Sequence, residues 1–411
     1  MKLSHGIGLL GFGWTLAIAG CSTDSTTTDG GTVDGGGTTP TEAGTTRDSG
    51  PGTDSGTDAT PGPDSGLTPQ TFTAALTGAQ ENPSVATTAA GTATITVNAE
   101  RTKATYTVTH NVTGGNAAHI HKGAGGTNGP VVHPLAPFST NMTGTIDITP
   151  ADATDIEQGL WYVNVHSAIN ADGELRGQLL APGATMWVAK LGGSQENPPV
   201  VTTATGGAAV ILDKNKTSLR YFVTSTLTPT GAHIHKGISS INGPVVVTFP
   251  TLGTSITGVA PVTAADATDL EEGRFYVNLH TTLNANGEVR GQLVKAGEAL
   301  YLGRMSGLSE VPPLTTAATG GAQFILDPVT RMLRYEAVFT GITATGAHIH
   351  EGAVGTNGAV IFPLTIAGGG AKGSVTLTQA NVDTLRGSGY YVNAHTALNP
   401  DGEIRAQILA P

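Results

Sequence analysis

A repeat of about 114 residues constrains this chain more than any single motif. "QENP" at 80–83 returns at 195–198 and, as "SEVP", at 309–312. A His-x-His pair starts at His119, His233 and His348, steps of 114 and 115 residues. "YVNVH", "YVNLH" and "YVNAH" begin at Tyr162, Tyr276 and Tyr391 with the same steps. A period this long is a whole domain rather than a solenoid unit. The spacing predicts three tandem domains at 69–182, 184–297 and 299–411, and 411 residues suffice for several separate cores.

Each unit reads as β. Thr and Val recur between Gly, Pro and Asn, and only 5% of residues are aromatic, so the cores must rest on Val, Ile, Leu and Ala. In "GTATITVN" (91–98), Ala93, Ile95 and Val97 point one way and Thr92, Thr94 and Thr96 the other. One short helix is expected per unit. Thr149 is the N-cap, Pro150 the first helical residue, Asp152 lies in the first turn and Gly159 is the stop; Thr263, Asp266 and Gly273 repeat these roles. The expected fold class is all-β: three Greek-key sandwich or barrel domains, each with one helix.

Alternation also sorts the YVN strand. Trp161, Val163 and Val165 form the core side, so Tyr162, Asn164 and His166 face outward or line a polar cleft. "NADG" (170–173) is turn chemistry leading to a strand that carries Glu174, Arg176 and Gln178 on the same polar side. The counterparts are Asn278, His280, Glu288, Arg290 and Gln292, then Asn393, His395, Glu403, Arg405 and Gln407. His119 and His121, one residue apart on a strand, share a face with Ile120 opposite. Two imidazoles so placed can bind one ion, and His166 is the candidate third ligand for copper or zinc. The equivalent triads are His233, His235, His280 and His348, His350, His395. The competing reading is a structural polar network in which Glu174 orients His166 and Arg176 pairs with Glu81. Both readings stand on the sequence. No serine elbow, phosphate loop, CxxC or paired-carboxylate motif supplies a catalytic set.

The N-terminal region points to export. Lys2 precedes an apolar run at 7–19, too short to span a bilayer and of signal-peptide length. "IAGC" (18–21) resembles a bacterial lipobox, which implies cleavage before Cys21, its acylation, and a membrane partner through the lipid. Ser22 after the cysteine implies sorting to the outer membrane. Residues 22–68 hold almost nothing to bury and read as a solvated tether. With seven Asp, Glu42 and a single Arg47, they carry more than half of the net charge of −11. No basic stripe speaks for nucleic acid, and one cysteine permits no internal disulfide.

Taken together, "AHIHKG…NGPVV" and "YVNVHSAINADGELRGQL" resemble the CHRD domain, the module named after chordin, in all three units. The resemblance implies a β-sandwich module of extracellular or cell-surface proteins, acting here on an unidentified envelope partner. The third copy departs from the pattern at Glu351 and Ala359. A few residues per unit, the His-x-His strand, are also similar to the copper-binding strand of Cu,Zn superoxide dismutase. That likeness implies the geometry of a surface metal site rather than dismutase chemistry. The leading expectation is a lipid-anchored binding or structural module; the alternative is one three-His metal site per domain.

Overall fold

The computed structural model describes residues 68–411. The expected leader, Cys21 and nearly all of the 22–68 tether lie outside the described residues. The first domain runs β1 (Gln70–Thr77), β2 (Ala90–Val97), β3 (Lys103–His110), β4 (Gly115–Lys122), β5 (Val131–Pro134) and β6 (Asn141–Asp147). It continues through α1 (Pro150–Glu157) to β7 (Trp161–Ser167) and β8 (Leu175–Gln178). These strands make one sheet in the order β5-β4-β7-β8-β1-β2-β3-β6, and all pairs are antiparallel. The other two domains repeat this order, each with one added two-residue strand, Val294–Lys295 or Ile366–Ala367. Each sheet curls into a barrel or half-barrel. The all-β reading with one short helix per domain holds.

The curl follows from the alternation. Ala93, Ile95 and Val97 of β2 are at most 3% exposed, and they meet Leu76, Ile120, Trp161 and Val163 in one apolar cluster. Each domain has its own cluster of this kind. Burying a side chain the size of Ile stabilises by about 1.5–3 kcal/mol, so these inward faces dominate the energetics. The helix forms where expected. Thr149 and Asp152 build a reciprocal capping box, and Gly159 ends the turn at φ +72°. Thr263–Asp266 and Thr378–Asn381 repeat the box.

The outward face of β1, β2, β3 and β6 differs between the domains. In the first it carries two rows of threonine, Thr71–Thr96–Thr105–Thr145 and Thr73–Thr94–Thr107–Thr143. Hydroxyls bond across the strands, as between Thr71 and Thr96 at 3.1 Å. At the same register the second domain carries Met186, Val188, Ala209, Ile211 and Phe222, which cluster with Ala124, Leu160 and Leu180 of the first. The third domain meets the second through ions instead. Arg274 grips Glu336 with two nitrogens at 2.8 and 2.9 Å, and Arg334 grips Glu298 at 2.7 Å. Domain therefore packs on domain head to tail, by the same pair of faces used twice.

Candidate metal centre

The strand order sets β4 beside β7, so the His-x-His pair and the third histidine come from neighbouring strands. His119 lies opposite Asn164, His121 opposite Tyr162, and Ala117 opposite His166. Ile120 is fully buried in the core, as alternation requires, and both histidines project from the other face. In each domain the three imidazoles of a triad offer nitrogens that all lie within 4.8 Å of one another. His119 Nδ1 is 3.0 Å from His166 Nε2; the corresponding distances are 3.1 Å for His233 and His280 and 2.9 Å for His348 and His395. Three-coordinate or tetrahedral binding at about 2.0–2.1 Å needs nitrogens roughly 3.3–3.6 Å apart. The His119–His166 pair lies close to that spacing, and the other separations in each triad are no more than 4.8 Å.

Backbone carbonyls fix which nitrogen faces inward. His121 Nδ1–H donates to Gly129 O at 2.9 Å, and His166 Nδ1–H donates to Ala171 O at 2.9 Å. Both rings are therefore unprotonated at Nε2, the tautomer that a metal ligand needs; that of His121 is unpartnered, and that of His166 accepts from His119 Nδ1–H. The other domains use Gly243 and Ala285, then Gly358 and Pro400. Nε2 of His121, His235 and His350 is buried and has no hydrogen-bond partner. A buried acceptor left unpaired costs about 1–3 kcal/mol, and here the same cost recurs three times at equivalent atoms. Burial, then the neighbouring imidazoles, holds His119, His233 and His348 below the ordinary histidine range. Burial also lowers His121, His235, His280 and His395. The lowering favours the neutral rings, the form that can ligate.

The rest of the polar face is not an open cleft. Tyr162, Asn164, Arg176 and Gln178 are each 2–5% exposed, because the segment after β1 and the 123–129 loop fold over them. This makes a second, polar core outside the sheet. His121 stacks on Tyr162 at 4.9 Å and 10°, and the Arg176 guanidinium lies 3.6 Å above the other side of the Tyr162 ring. Arg176 donates to the carbonyls of Thr127 (2.8 Å) and Ala124 (3.3 Å) and to Asn128 Oδ1 (3.2 Å). Gln178 ties the same loop to the helix exit through Gly123 O and Gly159 O. Arg290 and Arg405 stack on Tyr276 and Tyr391 in the same way.

Two expected contacts are corrected. Glu174 does not orient His166: it accepts from Thr87 Oγ1 at 2.8 Å, and the Ala171 carbonyl holds the ring. The reason is register, since Glu174 immediately follows the Gly173 turn and points back towards the loop before β2. Glu288 and Glu403 likewise bond Thr202 and Thr281, and Thr316 and Thr396. Arg176 forms no close ion pair with Glu81, because the loop carbonyls occupy its nitrogens. Burial pushes the Glu81 carboxyl up to about 7, against the opposing charge of Arg176, and Glu196 and Glu310 behave alike. Each of these glutamates packs with an asparagine (Asn164, Asn278 or Asn393) against a glycine at φ +130° to +138°.

The nine histidines proposed as ligands are brought together in three groups. Of the other polar-face residues, Arg176, Arg290 and Arg405 stack on the tyrosine that also stacks on the middle histidine, while the Asn and Glu residues bond elsewhere. What the motifs did not reveal was that the carbonyls of Gly129 and Ala171 set the tautomers. The Asn-Gly at 128–129 and the turn at 170–173 marked those loops without showing their direction. Segments 72–179, 187–293 and 303–408 match the CHRD domain. The chain belongs to the CHRD family. No curated protein and no solved structure matches it. Among its CHRD domains the third departs at the end of the His strand: Lys122 and Lys236 pair with Asp155 and Asp269, whereas Glu351 carries the opposite charge.

Proposed function

We propose that each CHRD domain holds one copper or zinc ion through its three histidines, in an exported protein anchored by lipid at Cys21. The observation that carries this reading is the buried, unpartnered Nε2 of His121, His235 and His350 at the point where two further imidazole nitrogens converge. The donor set of neutral imidazoles suits copper and zinc better than calcium or magnesium. Of the nitrogens, Nδ1 serves at His119 and Nε2 at His121 and His166. When bound, the ion would bridge two strands and replace the His119–His166 contact. Metal analysis of chain purified without a histidine tag and reconstituted with each ion tests this. About three ions per chain are expected, with one lost for each His121→Ala, His235→Ala or His350→Ala change. Sub-stoichiometric copper and zinc after reconstitution would remove the proposal.

A second reading is favoured by the Arg176–Tyr162–His121 stack, which is fully hydrogen-bonded without an ion except at that Nε2. There the three domains are structural or recognition modules held at the outer membrane for an envelope partner, and the histidines are part of the polar core. The same metal analysis separates the two.

A further inference from the structure

The loop that holds the middle histidine of each triad has a second neighbour, the next domain. The 123–129 loop supplies the Gly129 carbonyl to His121 and is fastened from inside by Arg176. From outside it rests on the second domain. Gly125 is buried so tightly that a Cβ there would lie 2.4 Å from Met186 Sδ and 3.3 Å from Val188. The second loop, 237–243, is clamped by the third domain through hydrogen bonds. Ser239 N donates to Gln323 Oε1 at 3.1 Å, and Gln323 Nε2 donates to Gly273 O at 3.1 Å. Ser239 and Gln323 are 3% and 2% exposed.

The third loop has no such support among the described residues. Residues 353–357 are all exposed, Val354 at 75%, and a Cβ on Gly355 would meet nothing within 4 Å. Arg405 keeps its bonds to Thr356 O and Asn357 Oδ1. It lacks the third bond that Arg176 makes to Ala124 O and Arg290 to Ile238 O.

We infer that the three sites are graded: docking of the following domain clamps the ligand loop of the first two, and the third site is the exchange-labile one where ions enter and leave. Met186 and Gln323 are positioning residues for sites in the preceding domain. This rests on the metal reading above. A preorganised site pays no ordering entropy on binding, and the loss of an outer partner to a ligand costs about 10–100-fold in affinity. By reciprocity, an ion in the second site strengthens docking of the third domain.

The test uses the full chain with two of the three triads disabled by His→Ala changes, so that each remaining site is titrated alone with zinc or copper against a competing chelator. The third site is expected to bind about tenfold more weakly than the other two and to release its ion faster. Gln323→Ala should weaken the second site by about tenfold and leave the first and third unchanged. A metal-free measurement asks about the clamp directly. The amides of Gly129, Gly243 and Gly358 each donate to a tyrosine hydroxyl, at 3.0, 3.0 and 3.1 Å. Hydrogen exchange should be fastest at Gly358, and Gln323→Ala should accelerate Gly243 alone. Three sites of equal affinity, or a Gln323→Ala effect spread over all sites or absent from all, would overturn the grading while leaving metal binding intact. No ion at any site would remove the function and the grading together.

Discussion

Replacing Gly173 by alanine tests the polar core that carries the site. Gly173 sits at φ +138°, where L residues are strained by about 1–3 kcal/mol. A Cβ there would also lie 2.5 Å from Asn164 Oδ1, 2.6 Å from Glu81 Oε1 and 2.7 Å from Asn164 Nδ2, all closer than real Cβ contacts. Both oxygens are buried and already unpartnered, so neither can retreat into a better bond. Displacing them adds roughly 1–3 kcal/mol, the cost of a buried polar group forced out of place. The sum, about 2–6 kcal/mol, is a large part of the ~5–15 kcal/mol that stabilises a domain. At about 4–8 °C per kcal/mol, the first domain should melt roughly 10–50 °C lower. Gly114→Ala is the control: it also has positive φ, at +70°, but nothing lies within 4 Å of its Cβ, so the cost should stay near 1 kcal/mol. Thermal unfolding by calorimetry, following the first domain's transition, reads the difference. If the two variants melted within a few degrees of each other, crowding at Gly173 would be refuted as the source of the cost.

Arg176→Lys keeps the charge but loses the planar fork that reaches Thr127 O, Ala124 O and Asn128 at once. It should destabilise the first domain by about 2–4 kcal/mol in denaturant unfolding and weaken metal at the first site, because those buried carbonyls lose their donor. Glu81 gives a pH prediction with a definite sign. Its folded carboxyl titrates near 7 against a reference of 4.5, so its stabilising contribution is complete below 4.5 and lost as pH rises through 7. Glu81→Gln should therefore gain stability over the parent above pH 7 and show no gain near pH 4.5. The histidines run the other way. Their folded values lie below 6.5, so their contribution is present above 6.5 and is lost as the pH falls below it. A metal-free chain carrying Glu81→Gln, Glu196→Gln and Glu310→Gln, which removes the opposing carboxyl titrations, should lose stability on acidification below 6.5, and bound metal should be released there in step with proton uptake, as read by titration calorimetry in buffers of different ionisation enthalpy. Because the two contributions oppose each other between 4.5 and 6.5, each is read by its own variant. A Glu81→Gln stability difference that did not change between pH 4.5 and 7 would contradict the glutamate assignment, and a triple glutamine chain whose unfolding midpoint stayed flat below 6.5 would contradict the histidine one.

Periodicity made most of the fold legible. Ala93, Ile95 and Val97 against Thr92, Thr94 and Thr96 predicted which side of β2 is core, and Thr149, Pro150 and Gly159 predicted the helix with its ends. The triads were legible too, because a face shared by His119 and His121 and a third histidine in the "YVNVH" strand depend only on a period of two. Contacts made by loops were not. Nothing in the alternation of Glu174 or Arg176 says that one meets Thr87 and the other the carbonyls of the 123–129 loop, since loop direction is set by turns and by what they cover. The same limit hid the burial of Asn164 and Tyr162, which alternation could place only on the side away from the main core.

The two threonine rows on the first domain make the stack asymmetric in what it can lose. Among the described residues, Met186, Ile211 and Phe222 of the second domain pack against Ala124, Leu160 and Leu180 of the first, and Arg334 and Glu336 of the third are held by the second domain and its linker. Removing the first domain bares the apolar sheet face of Met186, Val188, Ile211 and Phe222, which invites self-association, whereas the corresponding face of the third domain carries Arg334 and Glu336. For protein engineering, the cut to avoid is therefore the one that leaves the second domain leading the chain.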